Sequence, residues 1–122
     1  MKDLILKPTP KTLEVSCAPG EISLSGNSIL SDPKVFFDPI HTWVKEYIKD
    51  PEESTLVNMK LEYVDTASVQ QILEMMVTLR KLTLNEHALA VNWYYEVDDP
   101  ELLELGEIMQ NRLDLEFQFI KY

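Results

Sequence analysis

The sequence has few of the residues that catalytic and metal-binding motifs need. Its 122 residues include one cysteine, two histidines and three glycines. Cys17 cannot form an internal disulfide and lies in an alternating, strand-like run, so we expect it to be a small buried hydrophobe. His41 and His87 lie far apart, and neither has a cysteine or histidine at metal-ligand spacing. We therefore expect no enzymatic activity, no cofactor and no metal. A small enzyme, the alternative, would need a pocket that gathers one histidine with carboxylates.

Long apolar runs and positive charge are also scarce. No segment approaches the roughly 18 apolar residues of a membrane helix, and the Leu4–Leu6 run is too short for a signal-peptide core. The chain has 11 Lys and Arg against 21 Asp and Glu, a formal net charge of −10. Nucleic acid and anionic lipid would be repelled by such a chain. We expect a single cytoplasmic domain over residues 1–122 that binds neither nucleic acid nor membranes.

The negative charge is concentrated in the last third of the chain. Between Glu86 and Tyr122, Arg112 and Lys121 are the only basic residues among many acidic ones. An acidic face of this kind often serves solubility, and it also suits docking of a basic partner. The sequence leaves both interpretations open.

Hydrophobic periodicity predicts five strands and three helices in the order β-β-α-β-α-β-α-β. The strands are predicted at residues 11–17, 21–25, 55–63, 87–95 and 116–122, with a Pro19-Gly20 turn between the first two. The helices are predicted to follow Asp32, Asp65 and Asp99, and Pro39 is expected to break the first helix. Right-handed crossovers would place the helices on one side of a mixed sheet, an α/β fold. Asn58 and Asn92 would then sit side by side on the less covered face, either solvated or contacting a partner.

The strand that ends at Tyr63 meets the next helix at a corner formed by Asp65, Thr66, Ala67 and Ser68. Asp65 is the better N-cap on intrinsic preference, which places Thr66 in the first turn with its hydroxyl free. Such a hydroxyl either serves as a plain cap or receives a phosphate, which the free N–H groups and the helix dipole would favour. Composition alone favours the plain cap.

Two segments of the chain resemble a known family. Residues 57–68 read VNMKLEYVDTAS, residues 91–99 read VNWYYEVDD, and Glu104-Leu105-Gly106-Glu107 follows in the last helix. In this order the segments resemble the bacterial SiaC family of regulatory phosphoproteins, and the resemblance covers nearly the whole chain. It implies a STAS-like fold, the class that includes anti-sigma-factor antagonists.

The resemblance also implies a signalling function. In the family, a corner threonine is phosphorylated by a Ser/Thr protein kinase with a histidine-kinase-like ATPase fold and dephosphorylated by a PP2C-type phosphatase. The unphosphorylated form binds and activates a diguanylate cyclase, which raises cyclic di-GMP and favours biofilm formation. Carried onto this chain, the phosphoacceptor is Thr66, with Tyr63, Asp65 and Ser68 as supporting or partner-contact residues. The alternatives are an anti-sigma-factor antagonist that binds an anti-sigma kinase, and a passive scaffold subunit.

Two corner residues depart from the family pattern. Asp65 stands where the family usually has Asn, and Ala67 stands where it usually has Ser. The acceptor position is unaffected, and the missing hydroxyl at Ala67 removes one alternative acceptor. Asp65, however, places a fixed negative charge beside a group that would gain a charge of about −1.5 to −2 on phosphorylation.

Overall fold

The computed structural model describes residues Met1–Tyr122 and contains six strands and three helices. In chain order they are β1 (Leu4–Leu6), β2 (Glu14–Ala18), β3 (Glu21–Ser28), α1 (Pro33–Tyr47), β4 (Ser54–Val64), α2 (Thr66–Leu84), β5 (Ala88–Tyr95), α3 (Pro100–Leu113) and β6 (Phe117–Lys121). None of the helices has the length and apolar character needed to cross a membrane.

The strands lie in one sheet in the same order as in the chain, from β1 at one edge to β6 at the other. The pairs β1–β2 and β2–β3 are antiparallel, and the pairs β3–β4, β4–β5 and β5–β6 are parallel. One helix connects each parallel pair, and crossovers of one hand that always advance in one direction leave their helices on one face. The predicted mixed α/β sheet with its helices on one face is confirmed.

A single apolar core lies between the sheet and the helices. Alternate strand residues that face the helices are buried, whereas most of their neighbours on the opposite face are half-buried or exposed. The 24 buried hydrophobic residues form one cluster. Cys17 belongs to it, as predicted, and burial raises the pKa of its thiol to about 12. This thiol is therefore a packing group without nucleophilic character at neutral pH.

The first strand, β1, was not predicted from the sequence. Leu4 and Leu6 pack against the core from the sheet edge, and Ile5 between them points outward. The three residues pair antiparallel with β2, where Leu4 lies opposite Cys17. Three alternating residues are too few to distinguish a strand from a loop, because the pairing partner supplies most of the stabilisation.

The prediction that Pro39 breaks the first helix is wrong, since α1 runs through it from Pro33 to Tyr47. The N–H that proline lacks would have donated to the carbonyl of Val35, four residues earlier. Val35 is 69% exposed, and Pro39 is exposed as well, so this carbonyl lies on the solvent side where water can hydrate it. Phe37 and Ile40, on the opposite side, are fully buried and hold the helix on the sheet.

The helix-free face of the sheet carries a short ladder of amide side chains. Asn92 Nδ2 donates to Asn58 Oδ1 at 3.1 Å, and Asn58 Nδ2 donates to Ser23 Oγ at 3.3 Å and to Glu21 Oε1 at 3.2 Å. The predicted proximity of Asn58 and Asn92 is confirmed. Their amides bind each other and β3, which ties the three central strands together on the side that no helix covers.

Helix α3 lies close to the sheet at Gly106. The buried indole of Trp93 lies against this glycine, and its Nε1–H donates to the carbonyl of Leu102 at 3.1 Å. A Cβ atom added at Gly106 would lie only 2.6 Å from Trp93 Nε1. The absence of a side chain here allows α3 to lie close to β5.

Candidate functional site

Asp65 forms the junction between β4 and α2. Its backbone is extended, and its Oδ1 accepts from the Ser68 N–H at 2.8 Å, which confirms the predicted N-cap. Its Oδ2 accepts from the N–H of Leu30 at 3.0 Å. Both carboxylate oxygens are thus hydrogen-bonded, and the segment between β3 and α1 is tied to the start of α2.

These hydrogen bonds lower the pKa of Asp65. Burial alone would raise it, but the hydrogen bonds from Ser68 and from the Leu30 N–H favour the ionised form and outweigh burial. The pKa therefore lies below the ordinary value of 3.8. The stabilisation that Asp65 gives is complete above this ordinary value, and it is lost as pH falls through the lower value of the folded protein.

We expect Asp65→Asn to cost about 1 kcal/mol of unfolding free energy at pH 7. The Asn Oδ1 can still cap Ser68, but its Nδ2 would oppose the Leu30 N–H, donor against donor. Urea unfolding at pH 7 and at pH 3 measures the effect, and the difference from wild type should shrink at pH 3. Asp98→Asn, which changes an exposed carboxylate outside this network, is the matched control. A difference that does not depend on pH would contradict the account.

Ser68 lies beneath the corner. Its side chain is 0% exposed, its Oγ lies 2.7 Å from the Oγ of Ser28, and its hydroxyl also approaches the Ser28 carbonyl at 3.4 Å. Of the two roles expected for it, this geometry suits support of the corner, because a fully buried side chain cannot contact a partner.

Thr66 is the first residue of α2, and it is exposed. Its hydroxyl takes no part in the hydrogen bonds that hold the corner, which Asp65, Ser68 and Ser28 make among themselves and with Leu30. The N–H groups of Thr66 and Ala67 have no acceptor within the helix, as is general for the first turn. Thr66 is therefore the accessible hydroxyl of the corner, and free backbone donors lie beside it.

A groove of about 390 Å³ lies between the N-terminal turns of α2 and α3, with Thr66 in its wall. We call it the α2–α3 groove. Its lining is Glu62, Tyr63, Val64, Thr66, Val69, Asp99, Glu101, Leu102 and Leu105. Tyr63 is 62% exposed, although the strand alternation predicts it on the buried face with Leu61. That prediction is wrong because the pairing with β3 shifts register here. Leu61 lies opposite Gly26 but Tyr63 lies opposite Asn27, so one extra residue in β4 changes the face on which Tyr63 lies.

The region around the groove carries negative charge. A depression of about 270 Å³ adjoins it and shares Glu62, Asp99 and Leu102 with its lining. Burial, together with the charges of Glu96, Glu62 and Asp99, raises the pKa of Tyr122 at this place. A cation also lies at this depression: the Nζ of Lys60 is 4.6 Å from the centre of the Tyr122 ring.

The two histidines lie in separate places. The imidazole Nε2 of His41 lies 2.8 Å from Gln71 Oε1 and 4.0 Å from Glu74 Oε2, in a depression between α1 and α2 that Asp38 also lines. The Nδ1 of His87 lies 3.1 Å from the carbonyl of Glu52. His41 thus has carboxylates nearby, but its Nε2 is already bonded to Gln71 and links the two helices. No group of three or more His, Cys, Asp or Glu side chains is arranged to hold a metal ion.

Sequence reasoning identified the corner but not the groove. The lining combines the end of β4 with the starts of α2 and α3, which are about 35 residues apart in the sequence. The signal that could have located it was the sheet order, because adjacent parallel strands place the starts of their following helices side by side.

Known proteins similar to this chain match it over almost their whole length. A family model described as "SiaC family regulatory phosphoprotein" matches residues 6–122. A protein of Pseudomonas aeruginosa strain UCBPP-PA14 is 22% identical over 121 residues, which are 98% of this chain and 94% of that protein.

Solved structures agree with these matches. Apo-SiaC from P. aeruginosa superposes with a TM-score of 0.83 at 22% identity, over 99% of this chain and 98% of that one. SiaC in its complex with the diguanylate cyclase SiaD, which it activates, gives a TM-score of 0.90 at 19% identity, over 98% and 100%. The family match spans almost the entire sequence, and the chain belongs to the SiaC family of regulatory phosphoproteins.

Proposed function

We propose that this protein binds and activates a diguanylate cyclase in its unphosphorylated form, and that phosphorylation of Thr66 stops the activation. The observation that carries the proposal is the exposed hydroxyl of Thr66 in the wall of the α2–α3 groove. Membership of a family of regulatory phosphoproteins supports it, as does the likeness to a SiaC chain that is bound to the cyclase it activates.

The proposal includes the enzymes that would add and remove the phosphate. A Ser/Thr protein kinase with a histidine-kinase-like ATPase fold adds it, and a PP2C-type phosphatase removes it. All of these partners act in the cytoplasm, where ATP and the cyclase substrate are found. The protein itself is a switch and catalyses no reaction.

A phosphate on Thr66 would be stabilised at the corner by the start of helix α2. Free N–H groups and the positive end of the α2 dipole stabilise an anion at this position. The carboxylates of Glu62, Asp99 and Glu101 line the same groove and repel it. The two hydrogen bonds of the Asp65 carboxylate fix its orientation toward Ser68 and Leu30, and its negative charge adds to this repulsion. The start of α2 thus favours the phosphate, and the surrounding carboxylates oppose it.

A bound partner would have to cover this phosphate. Covering a dianion removes its hydration, and the cost is several kcal/mol unless new partners replace the lost water. Since 1.4 kcal/mol is a factor of 10 in affinity, a net loss of about 3 kcal/mol weakens binding roughly 100-fold. A micromolar complex would then disappear at cellular concentrations.

Calorimetry with the diguanylate cyclase encoded in the same genome tests this proposal. We expect Thr66→Ala to bind as wild type does, and Thr66→Glu and the enzymatically phosphorylated protein to bind at least 10-fold more weakly. Thr42→Glu, which adds the same charge at an exposed threonine of α1, is the matched control and should bind normally. Equal affinities for Thr66→Ala and the phosphorylated protein would contradict the switch, and binding to an anti-sigma kinase instead of the cyclase would contradict the partner.

A further inference from the structure

The α2–α3 groove has an apolar floor. Val64, Val69 and Leu105 are half-buried in it, Leu102 is buried beneath them, and Tyr63 stands exposed at its side. Water-exposed apolar surface is thus gathered at one end of the sheet, on a chain with a formal net charge of −10. Such a patch is typical of a protein-binding site.

The carboxylates around this floor have no cation partner in the chain. The side-chain nitrogen–carboxylate contacts within 4.0 Å join His41 to Glu74 and Lys49 to Glu46, and none of these residues lines the groove. Asp99 accepts from the Leu102 N–H at 3.1 Å as the N-cap of α3, so its charge has a structural role. Glu62 and Glu101 are exposed and make no such bond. Both free carboxylates line the groove, one from β4 and one from α3.

We infer that the α2–α3 groove receives a segment of the cyclase. This segment carries apolar side chains that enter the groove, with Lys or Arg residues on either side of them. The inference rests on the proposed function and names the chemistry of the partner. Apolar side chains fit the floor, and cations fit Glu62 and Glu101. A nucleotide, a nucleic acid or an acidic peptide would bring more negative charge to the groove. A second copy would bring another net charge of −10.

The inference also assigns a mechanism to the phosphate. A phosphate on Thr66 would add negative charge, which by itself attracts a basic segment. It would also occupy the groove beside Val69 and prevent apolar side chains from reaching the floor. Charges at the rim of an interface act mainly on the association rate, whereas apolar contacts in its buried centre act mainly on the dissociation rate. Because the phosphate would remove apolar contacts, phosphorylation should raise the dissociation rate. The switch would thus act by blocking the groove.

Surface-immobilised cyclase and the full chain test the inference through binding kinetics. We expect the double variant Glu62→Gln/Glu101→Gln to associate about fivefold more slowly than wild type at 50 mM salt, and the difference to shrink at 500 mM salt. The control Glu107→Gln/Glu116→Gln removes two exposed carboxylates outside the groove and should associate as wild type does. Thermal unfolding checks that all variants fold.

A carbodiimide, which joins carboxylates directly to lysine amines, gives the second readout. Mass spectrometry of the linked complex should find Glu62 or Glu101 joined to a cyclase lysine, and Glu116 unlinked. If wild type binds the cyclase but both double variants associate alike and no groove carboxylate is linked, the inference is wrong and the proposed function stands. If wild type does not bind the cyclase at all, the inference and the proposed function are both wrong.

Discussion

Thr66→Ala is expected to abolish phosphate incorporation at the corner while the protein keeps its fold. Thr66 is the accessible hydroxyl there, Ala67 has none, and the Ser68 hydroxyl is fully buried against Ser28. Alanine at an exposed first-turn position should change the unfolding free energy by no more than about 0.5 kcal/mol. Incubation with the cognate kinase and ATP, followed by mass spectrometry of the intact protein and its peptides, measures the loss.

Ser68→Ala is the matched control for this experiment. It should still be phosphorylated on Thr66, and it should be less stable by about 1 to 3 kcal/mol because the buried Ser28 hydroxyl loses its partner. Phosphate that persists in Thr66→Ala would contradict the assignment of the acceptor. Phosphate lost in a folded Ser68→Ala protein would place the acceptor at Ser68 instead.

Gly106→Ala is expected to destabilise the protein by about 3 kcal/mol. Helix propensity alone predicts the opposite sign, because alanine in a helix interior is better than glycine by about 1 kcal/mol. The new Cβ would lie 2.6 Å from Trp93 Nε1, so that the indole or α3 must move and the hydrogen bond to Leu102 is strained or lost. Thermal unfolding should show a midpoint lower by about 10 °C or more.

A double-mutant cycle with Trp93→Phe isolates the cause. Phenylalanine has no Nε1–H to donate to the Leu102 carbonyl, so the part of the Gly106→Ala cost that comes from straining this hydrogen bond should be absent in the Trp93→Phe background. Glu107→Ala, at the next and exposed position of α3, controls for helix propensity and should leave stability almost unchanged. A stabilised Gly106→Ala protein would show that α3 can shift away from the sheet at little cost.

Local patterns predicted most of the secondary structure correctly because each signal depended on neighbouring residues. Asp32, Asp65 and Asp99 all cap helices, as the short carboxylate before each helical period indicates. The alternation in β4 and β5 set their register well enough to place Asn58 beside Asn92. The local pattern did not predict which residues of an element are exposed to solvent. For this reason the predicted helix break at Pro39 and the predicted burial of Tyr63 were both wrong.

The corner was predictable, and the surface that it belongs to was not. Thr66 could be selected from the cap chemistry and the family resemblance, and the structure adds that its hydroxyl is exposed while that of Ser68 is buried. The acidic last third of the chain allowed either a solubility or a docking interpretation. The packing of α3 beside α2, which sequence reasoning did not predict, places Glu101 and Thr66 in the lining of one groove.

A corner with one accessible hydroxyl can hold only one phosphate, and this limits the signal that it can carry. Under the proposed function, the protein population would be described by a single number, the fraction phosphorylated on Thr66. That fraction would follow the ratio of kinase to phosphatase activity, without the successive steps of multisite modification. Any steepness in the cellular response would have to arise in the enzymes or the cyclase. Under this proposal, the burial of Ser68 leaves each molecule two states, with and without phosphate, and the response is graded only across the population.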